Sequence, residues 1–168
     1  MSRISDYRNK KPKNVIKFVT VEMYHPDVGT LRYVSGQYAD KTFTLESGAP
    51  RNAGEAVTFQ AASFQYSSPS QDSEPSSSAS MSFQRVGSGI KSAIKKMQGF
   101  AAFTPVEFVW REFLSDDTSE PVIVYYLYVS SITPTRDSVT IEASDVNPLT
   151  QSISRIVTPN DFPGTIDL

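Results

Sequence analysis

Eight consecutive residues, Val122 to Val129 (Val-Ile-Val-Tyr-Tyr-Leu-Tyr-Val), carry apolar or aromatic side chains at every position. A membrane-spanning helix needs about 20 such residues, so the run is too short to cross a bilayer and no membrane partner is expected. Its β-branched and aromatic content reads as a strand that is apolar on both faces. Such a strand sits centrally in a sheet with cover on both sides, or has one face covered by a neighbouring subunit. The rest of the chain is therefore searched for the strands that flank it.

They are present at short intervals. Lys17 to Tyr24 is rich in β-formers and stops at His25-Pro26, where proline ends a ladder. Leu31 to Val34 follows a turn at Asp27 to Gly29, and in Thr42 to Glu46 the side chains of Phe43 and Leu45 share one face. Val57, Phe59 and Ala61 alternate, and the pattern then shifts to Phe64 and Tyr66, which predicts a bulge or a bend. Ala79, Met81 and Phe83 alternate with polar residues, as do Val139, Ile141 and Ala143. In Val106 to Leu114, Val106, Phe108 and Trp110 face one way, and Asp116 to Glu120 supplies the turn into the eight-residue run.

One helix is predicted. Ser88 can cap it, Ile90, Ile94 and Met97 form a stripe at helical spacing, and Gly99 stops it. One helix among roughly eight strands reads as a mainly β fold, a β-sandwich or open barrel with one short helix. Residues 1–14 form a basic N-terminal arm, and residues 15–168 form a single domain. A serine-rich loop is expected over Ser67 to Ser80, where eight of 14 residues are serine and Pro69 and Pro75 interrupt the chain. No core can be built from that stretch.

The same sequence narrows the chemistry. With no cysteine and one histidine, His25, it has no thiolate metal site and no thiol nucleophile, and a triad would have to run through a single side chain. It lacks G-x-S-x-G, the phosphate-binding G-x-x-x-x-G-K-[ST] and H-E-x-x-H. Asp116, Asp117 and Glu120 do not have calcium-loop spacing and read as a solvated turn. Gly87-Ser88-Gly89 reads as a helix cap. A basic and non-apolar Met1 to Asn14 gives no signal-peptide pattern. The expectation is a protein that is not an enzyme and holds no cofactor and no metal. Trp110, Tyr125, Tyr126 and Tyr128 are the aromatic candidates for stacking on a sugar or receptor, though their place in apolar strands argues for core.

Charge is polarised along the chain. Residues 1 to 17 carry six basic side chains against one acidic, +5, whereas residues 112 to 168 carry two basic against nine acidic, −7. Opposite ends of this kind can meet on neighbouring copies of one chain. The arm interleaves only Tyr7 among its cations, so no stacking platform for nucleic acid is evident and none is expected as a partner.

Several pieces also recur in a particular order: the strand ending in His25-Pro26, Thr58-Phe59-Gln60-Ala61 leading to Phe64, and the helix from Gly89. The aromatic strand through Arg111, Ser130-Ser131-Ile132-Thr133, the alternation Ser138 to Ser144, and Thr158-Pro159-Asn160-Asp161-Phe162-Pro163-Gly164 follow. In this order the chain resembles, over about residues 15 to 165, the bacteriophage tail family catalogued as domain of unknown function 1833. Its layout is similar to the N-terminal part of the lambda minor tail protein L. The resemblance implies a structural virion protein at the distal end of a phage tail, set between the tail tube or distal-tail ring and the central hub. Its implied partners are copies of itself, as a trimer or hexamer, and neighbouring tail proteins. The cysteine-rich iron–sulfur region of protein L has no counterpart here, since the chain has no cysteine. Interface residues are expected in the basic arm (Arg3, Arg8, Lys10, Lys11, Lys13), the serine-rich loop (Pro69, Pro75) and the ending (Asp161, Phe162, Pro163).

Overall fold

The structure, a computed structural model, describes residue 12 and residues 14–68, 78–84, 92–97 and 104–147. Those residues form β1 (Lys17–His25), β2 (Gly29–Ser35), β3 (Lys41–Thr44), β4 (Ala56–Ala62), β5 (Phe64–Ser67) and β6 (Ser78–Gln84). Then come a helix, α1, over 92–97, and β7 (Glu107–Leu114), β8 (Ile123–Pro134) and β9 (Ser138–Ser144). The fold is mainly β with one short helix, as the alternation in the sequence predicts.

All nine strands belong to one sheet in the order β3-β4-β2-β1-β7-β8-β9-β6-β5. Every pairing is antiparallel except that of β2 with β4. Only Ser63 separates β4 from β5, yet β4 pairs with β2 near one end of the sheet and β5 pairs with β6 at the other. The sheet must therefore curl until its ends approach, which makes an open barrel. Contacts across the closure agree. The Ser35 hydroxyl donates to the Phe64 carbonyl at 3.2 Å, and the rings of Tyr33 and Phe83 meet edge-on with centroids 5.4 Å apart.

The curl sorts the apolar residues into two clusters. Inside the barrel lie Val19, Val21 and Met23 of β1, Met81 and Phe83 of β6, Trp110 of β7 and Ile141 of β9. Ile94 and Met97 of α1 belong to the same cluster, so tertiary packing holds this helical segment against the barrel interior. A second cluster lies outside β1, β2 and β7, where Phe18, Val34 and Phe113 meet Phe43, Leu45, Ala49 and Phe59. Phe43 stacks on Phe113 with centroids 4.5 Å apart and meets Phe18 and Phe59 edge-on. Residues 41–55 are thereby pressed onto the outer face of the sheet.

This arrangement corrects three expectations. First, the shift of pattern between Val57 and Tyr66 is not a slip of alternation. Phe59 faces the outer cluster, whereas Ala62 and Phe64 face the barrel interior, so the buried side changes as the segment passes from one core to the other. Second, the strands covered on both faces are β1 and β7. In β8 the inward Leu127 and Val129 are buried, but Tyr126 on the outer face is 49% exposed. Third, the serine-rich loop is shorter than Ser67 to Ser80, because Ser67 pairs with Ser80 and Ser78 with Ser144. Serine alternating with Ala79 and Met81 suits a strand with one polar face.

The turn from β1 to β2 is tight: His25 pairs with Gly29, and the Val28 N–H donates to the His25 carbonyl at 3.2 Å. Gly29 has φ +88°, a left-handed conformation that glycine adopts without cost from a Cβ. His25 itself is fully buried, and its Nδ1 accepts the Asp27 N–H at 3.1 Å. The single histidine is a structural residue of this turn.

Candidate functional site

β7 carries a charged pair, Arg111-Glu112, inside an otherwise apolar strand buried on both faces. A charge in such a place must find a partner, because an unpaired buried ion costs several kcal/mol. The alternation of the strand sends the two side chains opposite ways. Glu112 turns inward, where it accepts from Lys17 Nζ at 3.2 Å and from Trp110 Nε1 at 3.4 Å. Arg111 turns outward beneath residues 45–55.

Antiparallel register sets out the ground around Arg111. Glu22 of β1 lies opposite Arg32 of β2 on one side and Val109 of β7 on the other, and Val109 lies opposite Tyr126 of β8. Arg111 Nη1 donates to Glu22 Oε2 at 3.3 Å, and Arg32 Nε donates to the same oxygen at 3.0 Å. The strap over 45–55 supplies the other carboxylate. Glu46 Oε2 accepts Arg111 Nε at 2.8 Å, its Oε1 accepts Arg111 Nη2 at 2.9 Å, and the Tyr126 hydroxyl donates to Oε1 at 2.8 Å. This two-pronged arginine–carboxylate geometry is the strong form of an ion pair.

The strap is closed by its own backbone, with the Leu45 N–H on the Glu55 carbonyl and the Gly54 N–H on the Glu46 carbonyl. Asn52, at φ 53°, accepts Arg32 Nη2 on its side-chain oxygen at 2.7 Å and donates to Glu55 Oε2 at 2.6 Å. Arg51 pairs with Glu107 of β7 and stands 3.3 Å above the centroid of the Tyr24 ring. Two oppositely charged pairs and an aromatic stack thus fasten the strap to four strands.

These environments shift the titratable groups. Burial favours protonation of Glu46. The Arg111 hydrogen bonds, its own backbone N–H, the Tyr126 hydroxyl and the Arg111 charge together outweigh that, and its pKa falls below the ordinary carboxylate value. Burial of the hydroxyl, and then the bond and charge of Glu46, push Tyr126 up to about 12. Glu46 is therefore an ionised acceptor and Tyr126 a neutral donor. Guanidinium groups or the phenol occupy both oxygens of Glu46 and one of Glu22, an arrangement that latches the strap and is not poised for proton transfer. Among the described residues no group of three or more His, Asp or Glu side chains is placed to hold a metal ion.

Beside the latch is a groove of about 310 Å³, lined by Pro50 of the strap, Glu107, Phe108 and Val109 of β7, and Tyr126, Leu127 and Tyr128 of β8. Of the aromatic candidates, Trp110 is fully buried in the barrel interior and Tyr125 packs against the same cluster. Tyr126 and Tyr128 line the groove. Asp116, Asp117 and Glu120 form the β7–β8 turn, where Asp117 Oδ1 accepts the Ser119 N–H at 2.9 Å.

Arg3, Arg8, Lys10, Lys11, Lys13, Pro69, Pro75, Asp161, Phe162 and Pro163, the expected interface residues, all lie outside the described residues, as do Ser88, Gly89, Ile90 and Gly99. The latch itself is absent from the sequence reading. The signals for it were charges in mid-strand, Glu22 in Lys17 to Tyr24 and Arg111 in Val106 to Leu114.

The fold and this latched groove define a class: a mainly β, open-barrel protein whose buried charges serve architecture. The chain belongs to the family described as Domain of unknown function (DUF1833), which matches residues 9–154. Among curated proteins no match is found.

Proposed function

We propose that this protein is a structural component of a bacteriophage tail tip or baseplate, joining the distal tail tube to the central hub as a symmetric ring or trimer. What carries this reading is the order of its sequence pieces, from His25-Pro26 to Asp161-Phe162-Pro163-Gly164, read as a resemblance to the lambda minor tail protein L. Membership of the DUF1833 family over residues 9–154 covers most of those pieces.

Two physical features support an assembly role. The +5 and −7 ends of the chain suit repeated head-to-tail contacts, and such contacts close into rings when the rotation per copy divides a full turn. In addition, Ile16 and Tyr38 are largely exposed at one end of the barrel, where β1 begins and β2 stops. Apolar groups gathered at one end of a barrel suit stacking on a neighbouring ring.

The test is native mass measurement of the purified protein, combined with detection of the chain in purified particles. A trimer or hexamer, and a fixed copy number at the tail end, is the expected result. A strictly monomeric protein that is present in infected-cell lysate and absent from particles overturns the reading.

A further inference from the structure

Between Gly36 and Ala61 the buried side chains are Phe43, Leu45, Ala49 and Phe59, and all four belong to the outer cluster. None belongs to the cluster inside the barrel. This stretch is a hairpin, β3 and β4 joined by the strap, laid over Phe18, Val34 and Phe113. Its backbone ties to the barrel are sparse among the described residues. At the base, β4 pairs with β2 over Gln60 to Ala62 alone, and Asp40 Oδ1 accepts the Ala61 N–H at 2.9 Å. Above the base, the Thr44 N–H reaches the Thr118 carbonyl at 3.1 Å. Side chains do the remaining fastening: Glu46, Arg51 and Asn52 through the contacts described, and Lys41 with its Nζ 5.8 Å from the centroid of the Phe18 ring. That fastening is incomplete. Arg51 Nη1 and Glu22 Oε1 are buried with no hydrogen-bond partner among the described residues, and a buried polar atom in that state costs free energy that hydration returns.

We infer that residues 41–59 form a hinged flap, which lifts from the sheet as one unit while the barrel stays closed. Unequal cores decide which part gives first. Among the described residues, seven buried apolar side chains make up the outer cluster and twenty make up the interior one. Parts of a fold with fewer buried apolar contacts open at lower free energy than the whole. Lifting leaves the interior cluster intact, because the flap supplies none of it. The β2–β4 ladder and the Asp40–Ala61 bond stay in place as the pivot. Arg51 Nη1 and Glu22 Oε1 regain water. A detached two-stranded hairpin is marginal in water, so its internal hydrogen bonds open with it. The open state uncovers Phe18, Val34 and Phe113 beside Arg32 and Arg111, a face of apolar and guanidinium groups that the closed molecule conceals. The flap is thus a device that sets when this face is available. The inference does not rest on the tail-tip reading.

The test uses the full chain. Native-state amide exchange is followed against denaturant at Thr44, Leu45 and Gly54, whose N–H groups are bonded to the Thr118, Glu55 and Glu46 carbonyls, and at Val129 in the barrel, bonded to Val106. The three flap amides are expected to share one opening and to exchange roughly tenfold or more faster than Val129. Ile141→Val is a mild change in the interior cluster. It is expected to speed exchange at Val129 and to leave the flap amides unchanged, since the barrel is closed in both states of the flap. A second measurement reads the uncovered face. Because the chain has no cysteine, Val34→Cys under the flap and Val139→Cys in the interior each carry a single thiol. Val34→Cys is expected to react with a thiol reagent roughly tenfold or more faster than Val139→Cys. Equal protection at flap and barrel amides, with both accelerated alike by Ile141→Val, overturns the inference. Exchange at Thr44, Leu45 and Gly54 through separate local openings, with Val34→Cys as slow as Val139→Cys, overturns it as well.

Discussion

Replacing Arg111 by methionine tests the latch directly. Arg111 is fully buried and joins Glu22 of β1 to Glu46 of the strap, with Arg32 as the second cation of the set. Two guanidinium groups balance two carboxylates, and the substitution leaves one negative charge uncompensated beneath the strap. Removing one partner of a buried pair costs about 3–5 kcal/mol. Domains of this size have a stability of about 5–15 kcal/mol, so the variant loses a third or more in most of that range. At about 2–4 °C per kcal/mol, its melting temperature falls by about 6–20 °C.

Urea unfolding followed by Trp110 fluorescence and by far-ultraviolet circular dichroism measures the loss. Acid unfolding supplies an independent check. The Glu46 carboxyl sits below its ordinary pKa, so its stabilising contribution is present above the unfolded carboxylate value and is lost as pH falls through the folded value. Without Arg111 the burial remains and the main opposing interaction is gone, so the carboxyl titrates higher and acid unfolding begins at higher pH. Arg111→Met/Glu46→Leu is expected to lose less than the sum of the two single changes, since no charge is then stranded on the strap. A loss below about 1 kcal/mol in Arg111→Met, with the acid limb unmoved, would refute the reasoning, because pairs of that worth are the solvent-screened kind.

Two further outcomes are expected. Phe43→Ala removes the ring at the centre of the outer cluster, stacked on Phe113 and touching Phe18 and Phe59, at about 3–5 kcal/mol by denaturant unfolding. In alkaline titration Tyr126 and the buried Tyr33, each pushed up to about 12, ionise together as a late step, and Tyr126→Phe lowers the phenolate absorbance of that step by one tyrosine. Because its pKa is raised in the fold, the neutral phenol contributes fully below about pH 10 and that contribution is lost as pH rises through about 12.

The elements were legible because their signals are local. A period of two places Ala79, Met81 and Phe83 on one face whatever surrounds them, and Val139, Ile141 and Ala143 likewise. The spacing of Ile94 and Met97 marks a helical stripe, and both side chains are fully buried. His25-Pro26 ends β1 because proline has no N–H to give to a ladder. In each case the cause lies within a few residues of the effect.

The site was not legible for the opposite reason. Glu22, Glu46 and Arg111 are far apart in sequence, and no period or motif links them; only register between β1 and β7 and the press of Phe43 on Phe113 bring them together. The same holds for Val57 to Tyr66, whose alternation predicted a bulge or a bend and not two strands that join opposite ends of one sheet. What the amino-acid order settled alone is which residues form strands and which face of each is apolar, since both follow from backbone geometry. Which apolar face meets which, and therefore where a buried cation finds its carboxylates, was decided by closure of the barrel, because burial depends on neighbours that only the folded chain supplies.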